Sequence, residues 1–389
     1  MRIVRVATVP FFVLHHLRSQ LLQLAEAGHE VIVVTSPGAR AEEVDRLASV
    51  RFLPIPIARP IAPLSDAAAL WRLFRLFRRL RPDIVHSTTP KAGLLCAVAG
   101  WLAGVPVRLH TFTGQVWAEL SGPVRWIAQA SDRLMIRLNT RCYADSPSQR
   151  AYLIESGFST PERLRVLGSG SLGGVDLVLF NRERLGRGAR ETRERLGLVP
   201  QARVITFVGR VTRDKGIVEL LEAFTALRER VPEVVLVIVG PLEPARDPLP
   251  TETLDRLRND PSIRLMGYDP SPERYLAISE LLCLPSYREG FGNVVLEAAA
   301  LGVPSVGTRI TGLSDAIVDG RTGVLVPVKD ASALAIALVE LLENESGRRM
   351  LGEAARARVI QEFDARLVNA LLMQEYTSLM HPNPGWTIA

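Results

Sequence analysis

Residues 204–240 read VITFVGRVTRDKGIVELLEAFTALRERVPEVVLVIVG. The runs 204–209 and 234–240 are almost free of polar side chains, and each ends in glycine. Such runs suit strands buried on both faces, as in parallel sheets. Between them Val218, Leu221, Ala223, Phe224 and Leu227 recur at helical spacing and predict a helix over 217–230. Strand, helix, strand in this order is a βαβ unit.

The same rhythm runs through the rest of the chain. Strands are predicted at 3–8, 31–35, 83–86 and 107–111, with helices at 13–27, 65–81 and 91–103 between them. Beyond residue 200, further strands fall at 263–266, 281–285 and 304–307, and a helix at 293–301. The expected fold is α/β: two Rossmann-like, doubly wound domains. At 389 residues the chain is long enough for two. The seam is placed between about 167 and 197, where glycine and arginine become dense.

Composition excludes several classes. With 47% hydrophobic and 23% charged residues the chain is globular and not disordered. A formal net charge of +6 suits an anionic substrate or an anionic membrane surface and does not demand nucleic acid. Cys96, Cys142 and Cys283 lack CxxC spacing, which argues for a reducing, cytoplasmic setting and against a disulfide framework or a zinc site. The N-terminal residues read as a charged strand, not a signal peptide. The uncharged run 92–107 is broken by Gly100, Gly104 and Pro106 and is shorter than the ~18 residues of a spanning helix, so a buried helix is expected.

One motif is a decoy. Gly168-Ser-Gly170-Ser-Leu-Gly173 matches GxGxxG, but a dinucleotide fingerprint opens a helix after a strand. Here the pattern after the glycines is not helical, and a flexible linker is expected.

The chemistry concentrates in the second half. Glu289 and Glu297 flank Gly290-Phe291-Gly292-Asn293, after which the helix begins. A helix N-terminus directs amide N–H groups at an anion. Carboxylates on either side can accept hydroxyls, so the segment suits a ligand with a diphosphate between two hydroxyl-bearing groups, such as a nucleotide-sugar. Arg210 and Lys215 follow the 204–209 strand at its carboxyl end, where open α/β sheets bind ligands. A guanidinium fork and an ammonium point charge together suit a diphosphate.

Four spaced motifs then resemble the donor half of the GT-B retaining glycosyltransferases of family 4. They are Gly209-Arg-Val-Thr-Arg-Asp-Lys-Gly216, the stretch from Pro285 through Glu297, Gly302-Val-Pro-Ser-Val, and Asp319-Gly-Arg-Thr-Gly323. In the first half, the stretches 83–93 and 110–117 resemble a bacterial subgroup that builds O-antigen, capsule or lipid-linked glycans. The resemblance implies a cytoplasmic enzyme, possible on the inner face of the plasma membrane. It would move a sugar from a nucleotide-sugar, UDP by family habit, to a polyprenyl-diphosphate-linked saccharide.

It also implies residue roles. Arg210 and Lys215 would hold the donor diphosphate, Glu297 the ribose hydroxyls and Glu289 the sugar hydroxyls. The amides of Gly290, Phe291, Gly292 and Asn293 would face sugar and phosphate, and Gly267-Tyr268 would lie against the base. His110 would reach the transferred sugar across the cleft between the domains. Residues 1–170 would form the acceptor domain and 171–363 the donor domain, with a last helix, 364–380, crossing back onto the first. Neither cofactor nor metal is expected: Arg210 and Lys215 can take the leaving-group charge, and no Asp-x-Asp occurs.

Two other features remain open. In the 71–81 segment Leu73, Phe74, Leu76, Phe77 and Leu80 form one face and Arg72, Arg75 and Arg79 another, which fits either a sheet-covering helix or one lying on an anionic bilayer. A GT-B-shaped epimerase or hydrolase, needing acids such as Glu119 or Asp145 near the sugar, and a non-catalytic nucleotide-sugar-binding protein are the alternative functions.

Overall fold

A computed structural model describes residues 1–381 apart from Glu119 and 244–246. The chain divides into two compact units: residues 1–174 with the helix Ala365–Met380, and residues 175–364.

The first unit is built on seven parallel strands: β1 (Arg2–Val6), β2 (Glu30–Thr35), β3 (Val50–Pro54), β4 (Ile84–Thr88), β5 (Val107–Phe112), β6 (Arg141–Ala144) and β7 (Leu164–Arg165). Their order is β3-β2-β1-β4-β5-β6-β7. The second holds β8 (Arg203–Val208), β9 (Val234–Val239), β10 (Ile263–Gly267), β11 (Leu281–Leu284), β12 (Ser305–Thr308) and β13 (Gly323–Val326), ordered β10-β9-β8-β11-β12-β13. Every registered pair is parallel, so all carboxyl strand ends of one unit, which lead into its βα loops, lie along one edge. The order reverses at β1/β4 and at β8/β11, the crevices where doubly wound sheets bind ligands.

Central strands are apolar on both faces because helices cover both. Ile205, Phe207, Leu236 and Ile238 pack with Ile217, Leu221, Phe224 and Leu227 of the helix Ile217–Arg230. The helix Pro63–Leu80 buries Leu73, Leu76, Phe77 and Leu80 in the first unit's core and leaves Arg72, Arg75 and Arg79 exposed. Its apolar face therefore covers the sheet.

The first βα connection departs from the expected single helix over 13–27. Pro10–Phe12 is a helical turn, Val13–Leu17 is π-helical, and Arg18–Glu26 resumes the α-helix. Residues 168–174 open no helix, in keeping with the decoy reading, but they are not a free linker. The Ser171 N–H donates to the Asp145 carbonyl at 2.7 Å, Leu172 is buried, and a Cβ on Gly173 would sit 2.5 Å from the His16 carbonyl oxygen.

The helix Ala365–Met380 completes the first unit. Leu372 and Tyr376 enter the core around β1, β2 and β5, and the Tyr376 hydroxyl accepts from the buried Arg5 guanidinium at 2.8 Å.

Gly216 sets the geometry of the second unit's site. Its φ is +71°, and a Cβ there would lie 2.1 Å from the Pro285 carbonyl oxygen. Left-handed strain and a backbone clash act together. Gly216→Ala is expected to cost about 2–4 kcal/mol, read as a thermal midpoint lowered by several degrees.

Candidate functional site

Two neighbouring strand ends make the site in the second unit. β8 and β11 pair directly (Leu281 with Ile205, Leu282 with Thr206), so the loop leaving β8 and the loop leaving β11 emerge side by side. The close approach at Gly216 and a Tyr287 N–H donating to the Asp214 carbonyl at 2.9 Å lock them together.

On this scaffold Lys215 Nζ lies 2.6 Å from Glu289 Oε1, and Ser286 Oγ donates to the same oxygen at 2.8 Å. The lysine and the glutamate side chains are only 12% and 16% exposed, so each is the other's compensation for lost water. Arg210 and Arg288 both face Asp214 Oδ2, at 3.5 Å each. Burial acts to raise the Asp214 carboxyl, but the hydrogen bond from Thr212 and the charges of Arg210, Lys215 and Arg288 outweigh it and hold the carboxyl below its ordinary value. Asp214 thus stays ionised among three cations. Arg210, Lys215 and Glu289, expected together, are together.

The helix Asn293–Ala300 begins immediately after Gly292, whose φ is +85° and which offers no side-chain cap. Its first-turn amides head toward the strand-end edge, where an anion is favoured. Phe291 takes part through its backbone only, because its ring is buried against Phe363 at 5.4 Å. Glu297 stands one turn in. Among the described residues no donor lies within hydrogen-bond distance of its carboxylate. Burial, with the nearby Glu273 carboxylate, pushes it up to about 7. A partly sheltered carboxylate without a donor is costly unless a ligand supplies one. Gly267 ends β10 on the same edge, and Tyr268 beside it is 41% exposed.

His110 does not stand at a strand end. It lies within β5, 1% exposed, its Nδ1 3.0 Å from Ser87 Oγ and its ring edge-on to Phe112 at 4.6 Å. A Cβ on Gly93 would meet the ring at 2.4 Å, so the imidazole fills the space that glycine leaves in the helix Pro90–Ala103. Burial pushes it down to about 3, and it is a neutral packed ring. β5 runs on through Phe112, so His110 sits inside the sheet and only the residues beyond leave it.

Asp145 is likewise buried. Its carboxyl accepts the Leu172 N–H, and burial raises it to about 7. Glu119 lies outside the described residues.

The sequence reading missed Asp214, Ser286, Arg288, Glu243 and Glu273. Asp214 and Arg288 were within reach of it, since each adjoins an expected site residue. Glu243 enters through the β9 loop, and nothing local announces it.

The comparisons identify the family. Residues 189–358 match the family model described as "Glycosyl transferases group 1", and residues 14–170 the one described as "Glycosyl transferase 4-like domain". A glycosyltransferase from Rickettsia africae superposes with a TM-score of 0.80 at 20% identity, over 98% of this chain and 99% of that one. The architecture is that of the GT-B glycosyltransferases. "Capsular polysaccharide biosynthesis glycosyltransferase CapM" of Staphylococcus aureus is 30% identical over 370 residues, 95% of each chain. An Escherichia coli protein named "UDP-Gal:alpha-D-GlcNAc-diphosphoundecaprenol alpha-1,3-galactosyltransferase" is 25% identical over 337 residues, covering 86% of this chain and 84% of its own. The chain belongs to the GT-B glycosyltransferases of the family 4 type.

Proposed function

We propose that the protein is a retaining, metal-independent transferase that moves a sugar from a UDP-sugar to a polyprenyl-diphosphate-linked saccharide in cell-surface polysaccharide synthesis. The observation that carries the donor half is the strand-end cluster of Arg210, Lys215 and Glu289, with the donor-free carboxylate of Glu297 on the helix that follows Glu289. Lys215 and Arg210 neutralise the diphosphate as it departs, replacing a metal in that role. Glu289 exchanges its lysine partner for sugar hydroxyls, and Glu297 accepts the ribose diol. The helix amides of Gly292 and Asn293 face the diphosphate, and Tyr268 lies against the base. With charge relieved on the leaving side, the bond from the sugar's anomeric carbon to the diphosphate oxygen breaks, the acceptor hydroxyl bonds to that carbon from the same face and gives its proton to the departing diphosphate oxygen, so configuration is kept. His110 acts indirectly, holding the end of β5 from which Thr113 and Gly114 depart.

The lipid-linked acceptor is favoured by the names of the Staphylococcus aureus and Escherichia coli relatives. Among the described residues no helix is long and apolar enough to cross a membrane. Peripheral contact with an anionic cytoplasmic leaflet is favoured by the helix Gly122–Leu138. It exposes Trp126 at 75% and Ile127 at 52%, next to Arg125, and the exposed arginines of Pro63–Leu80 add charge.

The test is a screen of nucleotide-sugars with a lipid extract as acceptor source. Transfer from a UDP-sugar with retained anomeric configuration and undiminished by EDTA is expected. Epimerisation of the donor without acceptor, or tight UDP binding with no turnover on any acceptor, would overturn the proposal.

A further inference from the structure

Arg210 is not left to swing. Its Nη1 is 3.2 Å from Glu243 Oε2 and its Nη2 is 3.5 Å from Asp214 Oδ2, so two carboxylates from two different loops take one arm each. Asp214 is itself fixed, by the Thr212 hydroxyl, by Arg288, and through its own N–H, which donates to Asp247 Oδ2 at 2.6 Å. Glu243 is fixed at its root. The Val211 N–H donates to the Pro241 carbonyl at 2.9 Å, and Val211 and Leu242 form a parallel bridge one residue before it. The loop leaving β9 thus sends Glu243 and Asp247 to the loop leaving β8.

A free arginine pays about 1.5–2 kcal/mol in rotamer entropy when it is ordered. Here that ordering precedes the ligand. A guanidinium has five N–H donors. Those not aimed at Glu243 and Asp214 remain for phosphate oxygens. We propose that Glu243 is a positioning residue for the transfer reaction. It aims Arg210 at the departing diphosphate and, with Asp247, makes the β9 loop part of the donor site. The proposal rests on the donor-site reading above. Charge on the diphosphate grows toward the transition state, so misdirection of Arg210 is felt chiefly in turnover and less in donor binding.

The experiment measures UDP release from UDP-glucose, with and without a lipid-extract acceptor, and UDP binding by calorimetry. It compares the full-length protein with Glu243→Ala, Glu243→Gln and Arg210→Ala, each checked for an unchanged thermal midpoint. Glu243→Ala is expected to lower kcat about 10–100-fold with KM and UDP affinity within about threefold. Glu243→Gln, which still offers Arg210 an acceptor, is expected to recover most of that loss. A rate within twofold of wild type for Glu243→Ala, equal losses for both variants, or tighter UDP binding with undiminished turnover would overturn the proposal. The last outcome would show Glu243 as a competitor of the phosphate. Arg210→Ala separates the two levels: if it keeps full turnover, the donor-site reading fails and not only the role of Glu243.

Discussion

Lys215→Ala is expected to lower kcat for sugar transfer about 100- to 1000-fold, with a smaller rise in donor KM. In the proposed donor site the ammonium faces the leaving diphosphate, and one such preorganised group is worth about 3–4 kcal/mol in the transition state. Its removal also strands the Glu289 carboxylate, which keeps only the Ser286 hydroxyl. A carboxylate buried to that degree without its cation loses the net benefit of the pair. The variant therefore loses folding stability as well as turnover. Lys215→Arg keeps charge but not shape, because a planar fork does not fit a pocket built for a point charge 2.6 Å from Glu289. Its stability is expected near wild type while its turnover stays depressed. Steady-state kinetics and thermal unfolding of both variants check this, and equal turnover in all three proteins would remove Lys215 from the reaction.

Glu297→Gln has the second large effect, and it has two signs. Hydrogen bonds to a charged acceptor are worth about 1.5–3 kcal/mol each, so, on the proposed role of Glu297 as acceptor for the ribose diol, the variant binds donor about 10- to 100-fold more weakly. Stability moves the other way. The folded-state value of Glu297 is raised from 4.5 to about 7, so between those values the folded state holds a proton that the unfolded state has released. Stability then falls as pH rises through that window, and the destabilisation is complete above about 7. Glutamine carries no such charge. Glu297→Gln is therefore expected to be more stable than wild type at pH 8 and no more stable at pH 4.5. In wild type, UDP binding is expected to tighten as pH rises from 6 toward 8, because the ionised carboxylate accepts both ribose hydroxyls, and the variant to show no such slope. Unfolding midpoints and donor titrations at several pH values test both signs.

The gap between sequence and structure has a physical pattern. β8 and β9 were plain because strands covered on both faces become continuous apolar runs. β3, β6, β7 and β13 escaped notice; three of the four are edge strands, and β6, of four residues, lies inside the sheet. An edge strand is half exposed and short, so Val50-Arg-Phe-Leu-Pro54 carries a charge and a proline and reads as a loop. Arg210, Lys215, Glu289 and Glu297 were legible as candidates because they sit at fixed places in the chain relative to glycine-marked strand ends. Their network was not. Glu243 meets Arg210 only because β8 and β9 are neighbours in the sheet, a fact of pairing and not of spacing. The surroundings of His110 were not legible either: the pleat of β5 turns its ring onto Gly93 and Ser87, contacts that only the fold brings together.

The most direct measurement is a crystal structure of the full chain soaked with UDP. Diphosphate oxygens within hydrogen-bond distance of Lys215 and Arg210, with both ribose hydroxyls on Glu297, are the predicted result. Nucleotide bound away from the β8 and β11 strand ends, or a ribose with no contact to Glu297, would contradict the account.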